Sequence, residues 1–235
     1  MLGIKGSRDS GQRVAENIGS KTDSAGIFRI KGNAIGIDLA AKPHNNTGFA
    51  ILNGMIARTM FLRGDDEIVD HTFRDKPSVM AIDAPLSLPK GRCCANDDCQ
   101  CSRYGISRQA DRLLLKKGIR GFWPLLPTMK PLTLRGVKLR ETFEKHGFKV
   151  IEVFPSATQK ILDIPTKKAG KEKLYRGLTD LGITLTTENP SNHELDAVTA
   201  ALTGSCYLAG HYEAVGDKDE GQVLVPANPC YYEHN

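Results

Sequence analysis

The sequence predicts an α/β protein whose mixed sheet opens with a three-strand antiparallel meander and carries helices on both faces. Three observations lead there. Apolar runs at 34–39, 47–52 and 55–62 follow one another with only loops between, and Asn53-Gly54 is a strong two-residue hairpin signal. Further apolar runs at 78–82 and 149–154 alternate with helical patterns, as strand–helix crossovers do. Acids recur within or beside these runs: Asp38, Asp83 and Glu152.

Residues 1–30 are rich in Gly, Ser, charged and amide side chains, show no period, and read as a flexible extension. After the meander, 65–74 has Ile68, Val69 and Phe73 spaced for a helix. The run 78–82 is continuously apolar, as a central parallel strand is, and Pro85 stops it. Residues 86–131 break the rhythm and read as a Cys-rich basic insertion with a helix at 107–117. A helix at 133–146 follows, with Gly147 as its C-terminal cap, then the strand 149–154. Short helices at 156–162 and 170–181 and a β-prone 183–186 come next. The caps around Asn189-Pro190-Ser191-Asn192 start a long helix reaching about Ala209, and 213–226 reads as a hairpin before a tail at 227–235.

The chain of 235 residues can bury one full core. Its net charge of +5 hints at an anionic partner. No apolar run reaches the ~20 residues needed to span a bilayer. A cytoplasmic protein is the default expectation.

Burying a carboxylate is costly without a cation, a proton or hydrogen bonds. Asp38, Asp83 and Glu152 lie in or at the ends of strands, and ligands of parallel sheets collect at those carboxyl ends. His193 and Asp196, three residues apart, share a face of the last helix. Ala197, Ala200 and Ala201 would let that helix lie close to the sheet. Four acids in such settings suggest a shared hard cation, Mg²⁺ or Mn²⁺, of the kind that drives phosphoryl displacement. Each has a bland alternative: Asp38 as a loop cap, Asp83 as a turn former, Glu152 paired with a base, Asp196 bonded to a strand end and His193 as a helix cap.

These motifs carry a resemblance. Gly36-Ile37-Asp38, Ile82-Asp83-Ala84-Pro85, Ile151-Glu152-Val153-Phe154-Pro155 and His193-Glu194-Leu195-Asp196-Ala197 resemble the family catalogued as domain of unknown function 429. The likeness extends to 118–124, Leu132-Thr133 and the closing hairpin, and covers roughly 34–226. The family is described as predicted nucleases of the ribonuclease H-like fold, and its acids are similar to a Holliday-junction-resolvase arrangement. The resemblance implies a ribonuclease H-like domain. It implies Asp38, Asp83 or Glu152, and Asp196 as metal ligands, with His193 assisting. A resolvase-like role would favour a dimer.

A nuclease needs a surface for nucleic acid. The insertion offers Arg108, Arg112, Lys116, Lys117 and Arg120, with Trp123 as a base-stacking candidate; Trp123 and Phe122 covering core is the plainer alternative. Cys93, Cys94, Cys99 and Cys101 form a set tighter than a standard zinc knuckle, so structural Zn²⁺, disulfides and free thiols all stay open. Two other function classes compete. A non-catalytic nucleic-acid binder or adaptor could keep the fold and its acids as relics. An ATP-binding protein of the actin and sugar-kinase class would need a glycine-rich loop after the first strand, and residues 40–46 contain no glycine.

Overall fold

The structure, a computed structural model, describes residues 32–227. The expected N-terminal extension, and all of the tail but its first residue, Ala227, lie outside the described residues. One eight-stranded mixed sheet organises the chain. Its strands are β1 (Asn33–Asp38), β2 (Thr47–Asn53), β3 (Ile56–Leu62), β4 (Val79–Asp83), β5 (Val150–Val153), β6 (Thr184–Leu185), β7 (Tyr212–Val215) and β8 (Val223–Pro226), in the spatial order β6-β3-β2-β1-β4-β5-β8-β7. The meander β1-β2-β3 is antiparallel; β4 and β5 add parallel to β1 on its other side. This is the ribonuclease H-like arrangement, here extended by the closing hairpin, whose β8 runs parallel to β5. The hairpin turn falls one residue later than read: Asn53 pairs with Ile56, and Gly54 takes the positive φ of 56°.

Helices α1 (Gly64–Asp75), α2 (Gln109–Lys116), α3 (Lys130–Lys145), α4 (Pro155–Ile161), α5 (Lys171–Asp180) and α6 (Asn192–Leu208) cover both faces. Strand alternation sorts the core. Ile35, Ile37, Phe49, Met80 and Ile82 point to one side, where Ile68 of α1 and Leu139 and Phe143 of α3 meet them. Ala34, Ala81, Ile151 and Val153 point to the other, against Ala200 of α6. There the small residues have a purpose. A Cβ on Gly36 would stand 1.9 Å from the Ala197 carbonyl oxygen and 2.3 Å from the Ala201 nitrogen; on Gly48 it would stand 2.2 Å from the His193 carbonyl oxygen. Only glycine lets α6 lie this close across β1 and β2. No helix among the described residues is long and apolar enough to cross a membrane.

Candidate active site

The close seating of α6 brings its first turn to the carboxyl ends of β1 and β4. That turn is fixed by reciprocal capping: Ser191 Oγ accepts from the Glu194 N–H at 3.2 Å, and Glu194 Oε2 accepts from the Ser191 N–H at 2.8 Å. Glu194 Oε1 also accepts from Thr59 Oγ1 on β3, which pins the helix start to the meander. His193 and Asp196 are thereby aimed at the strand ends.

Asp38 and Asp83 are register partners on neighbouring parallel strands, so their side chains leave the same face of the sheet side by side. Asp38 Oδ2 lies 2.6 Å from His193 Nδ1. Asp196 is buried: its Oδ1 accepts from Gln159 Nε2 of α4 at 2.8 Å, and its Oδ2 lies 2.7 Å from the Lys167 ammonium. Lys167 sits on the short 3-10 turn Lys167–Ala169, between α4 and α5. Asp83 has no ion-pair partner among the described residues.

The electrostatics follow from three acids sharing one ammonium. Burial, with the charges of Asp38 and Asp196, pushes the Asp83 carboxyl well above its ordinary value. Burial also raises Asp196, against the pull of Lys167 and Gln159. The His193 imidazole is raised chiefly by its hydrogen bond to Asp38. Burial opposes the Lys167 charge, but Asp196, Asp38 and Asp83 outweigh it and lift its pKa. Acids held above their usual range in this way mark a site suited to a further cation. Three carboxylates are the oxygen donors a hard divalent ion takes, with the His193 imidazole beside them. The buried Gln159 Oε1, with no hydrogen-bond partner, adds an unsatisfied acceptor beside it. The carboxylates and the imidazole suit a divalent cation in chemistry, while no three of their ligand atoms lie within 4.8 Å of one another in this arrangement.

Glu152, expected among the metal ligands and catalytic acids, stands elsewhere. It is the register partner of Ile82, and so points to the opposite face from Asp38 and Asp83. There its carboxylate takes a bidentate pair from Arg108 (2.6 and 2.7 Å) and the Leu86 N–H at 2.7 Å. Both oxygens are committed to this pairing, on the face of the sheet away from Asp38 and Asp83. The same contact corrects Arg108, expected at a nucleic-acid surface. Its side chain is 1% exposed and lies between Glu152 and Asp111, whose Oδ1 is 2.9 Å away. Burial opposes the Arg108 charge, and the two carboxylates more than offset it.

The other basic candidates are exposed, but not all face the acids. Helix α2 packs Ala110 and Leu114 against Val223 and Val225, on the Glu152 side of the sheet. It carries Arg112, whose guanidinium turns back to the Ser107 carbonyl, with Lys116 and Lys117; Lys117 pairs with Glu213. The chain then runs past α4, where Lys160 Nζ donates to the Gly118 carbonyl, and Gly121 lies beside Phe154. On this stretch Arg120 and Phe122 (73%) are exposed, so the Phe122 ring does not serve as core cover, whereas Trp123 keeps only 37% of its surface exposed.

The cysteines Cys93, Cys94, Cys99 and Cys101 converge. Among the described residues they are the only group of three or more His, Cys, Asp or Glu whose ligand atoms all lie within 4.8 Å of one another. Two residues of the acid cluster escaped the sequence reading. Nothing in Thr166-Lys167-Lys168 distinguishes Lys167 from its neighbour. Gln159 offered only its place in a short helix whose other buried residues are small.

The strand order and the acid pair on β1 and β4 define the class: a ribonuclease H-like fold with an acidic cluster at its central strand ends. No protein-family model and no curated protein matches the chain. Among solved structures it is similar to the Thermus thermophilus RuvC structure, at 14% identity over 76% of this chain and 96% of that one, with a TM-score of 0.42.

Proposed function

We propose that the protein is a metal-dependent nuclease that hydrolyses phosphodiester bonds at Asp38, Asp83 and Asp196. One observation carries the reading: two acids at the carboxyl ends of adjacent parallel strands face a third on the helix packed across them, with a single ammonium among the three. The resemblance to the domain of unknown function 429 family points the same way. Asp38, Asp83 and Asp196 would hold Mg²⁺ or Mn²⁺, which when bound supplies a Lewis acid and an acidified water. Asp38 orients the His193 ring through Nδ1 and leaves its other nitrogen on the exposed side. The hydrogen bond to Asp38 raises the proton affinity of the imidazole, which suits His193 to give a proton to the leaving oxygen. Lys167, with 44% of its side chain exposed, can swing from Asp196 to a phosphate oxygen. Arg120 and Trp123 supply charge and a stacking face for a nucleic-acid strand.

A second reading has its own observation. An ammonium already placed on Asp196 neutralises part of the cluster, as in a nucleic-acid adaptor that dispenses with metal. Calorimetric titration of Mn²⁺, with and without an oligonucleotide, separates the two. The nuclease reading expects binding by the native chain, its loss in Asp38→Asn with Asp196→Asn, and metal-dependent cleavage of branched, single-stranded or hybrid substrates. Nucleic-acid binding with no Mn²⁺ uptake under either condition would leave the adaptor.

A further inference from the structure

We propose that Cys93, Cys94, Cys99 and Cys101 bind one structural Zn²⁺ that orders the loop between β4 and α2. The geometry comes first. Cys93 Sγ lies 3.6 Å from Cys99 Sγ, and Cys94 Sγ lies 3.8 Å from Cys101 Sγ. A tetrahedral ion with Zn–S bonds of about 2.3 Å needs sulfurs about 3.8 Å apart. A disulfide needs about 2.05 Å. Two sulfur–sulfur edges thus match a ZnS₄ tetrahedron, all four sulfurs lie within 4.8 Å of one another, and four thiols are the donor set that selects zinc over the hard ions suited to the carboxylates.

The spacing that looked too tight for a knuckle works because the loop supplies the turns. Adjacent Cys93 and Cys94 each meet a different partner from the second pair. The Arg92 side chain is buried beneath them and donates to the carbonyls of Cys94 (3.1 Å) and Asn96 (3.2 Å), closing the loop that carries both. The 3-10 turn Gln100–Tyr104, whose Ser102 N–H bonds to the Cys99 carbonyl at 2.8 Å, delivers Cys101 back to the cluster.

The second reason is what the loop lacks. Residues 84–99 contain no helix or strand, and between Lys90 and Gln100 only Arg92 is buried. Ala84 and Leu86 tie its first residues to the core, but the stretch from Gly91 to Cys99 has no apolar anchor of its own, and a metal would hold it as one staples a small scaffold. Both ends of the loop are already anchored on one side chain. Glu152 accepts from the Leu86 N–H at the start and from the Arg108 guanidinium at the end. Zinc would fix the middle. It would turn a sixteen-residue irregular segment into a rigid knob on the Glu152 side of the sheet, the side away from the acids.

The test uses the full chain purified under reducing conditions, with metal content by mass spectrometry and mercurial titration of thiols. About one zinc per chain is expected, released as the thiols react. Cys99→Ser with Cys101→Ser should lose it, whereas Asp38→Asn with Asp196→Asn should keep it, which separates this site from the carboxylates. Because the cysteine variant could fold poorly, the native protein is also treated with a strong chelator and then with protease. Cleavage within 88–107 should speed up about tenfold or more as the loop opens. A native chain without zinc after growth in zinc-supplemented medium would overturn the assignment. So would two disulfides by intact mass, one iron per chain in place of zinc, or an unchanged cleavage rate after demonstrated metal removal.

Discussion

Replacing Arg108 with Met separates the assignment made from the structure from the one the sequence suggested. Arg108 is 1% exposed, gives two hydrogen bonds to Glu152 (2.6 and 2.7 Å), reaches Asp111 at 2.9 Å and holds Ser87 Oγ at 2.9 Å. One guanidinium thus neutralises two acids, of which Glu152 is 8% exposed. Arg108→Met keeps the aliphatic bulk but strands both carboxylates, and removing one partner of a buried pair costs about 3–5 kcal/mol. Glu152→Gln is milder. It leaves Arg108 a one-to-one partner in Asp111, so the loss is that of charge-assisted hydrogen bonds, about 1.5–3 kcal/mol. A folded body of this size loses about 2–4 °C of Tm per kcal/mol. Arg108→Met should therefore lower Tm by roughly 6–20 °C, more than Glu152→Gln, and neither should abolish Mn²⁺ binding. Differential scanning calorimetry and Mn²⁺ titration read both quantities. An unchanged Tm in Arg108→Met, with weaker nucleic-acid binding, would refute the buried-pair account. Loss of Mn²⁺ binding in a stably folded Glu152→Gln would return Glu152 to the metal site.

Asp83→Asn should stabilise the protein at neutral pH when a chelator is present. The folded Asp83 keeps its proton above the pH at which the unfolded chain releases it, so stability falls as pH rises from the ordinary carboxylate range through the raised folded value. The variant should show a smaller drop in Tm between pH 4 and pH 8, as judged by thermal melts; an equal drop would remove Asp83 as its source. Gly36→Ala puts a methyl group onto backbone atoms of α6 and should prevent soluble folding or cost about 3 kcal/mol or more, measurable by denaturant melts. Trp123→Ala should weaken single-stranded oligonucleotide binding by about 1–3 kcal/mol with little change in salt dependence. Arg120→Ala should instead lower the slope of log affinity against log salt by about one; equal behaviour of the two variants would argue against a stacking ring beside a phosphate contact.

Several features were legible in the linear chain because local physics announces them. Apolar runs, the Asn-Gly turn, Pro85 and the Ser191 cap mark where elements start and stop, and the meander-then-crossover order leaves few topologies. Asp38 and Asp83 could be read as candidate site residues because each lies at the end of its run. His193 and Asp196 could be paired because helical spacing puts them on one face. Glu152 misled for a physical reason. Its strand is buried on both faces, so apolar side chains occupy both parities and the alternation that would reveal a side chain's direction is hidden. Only pairing with β4 set Glu152 opposite Ile82, away from the acids and onto Arg108. Lys167 and Gln159 belong to separate segments with no periodic signal, and tertiary packing alone brought them to Asp196. The chain by itself determined the elements, their order and the acids at the strand ends. Which acids face one another, which base is buried and which four sulfurs meet are settled only once register, loop path and helix seating are fixed.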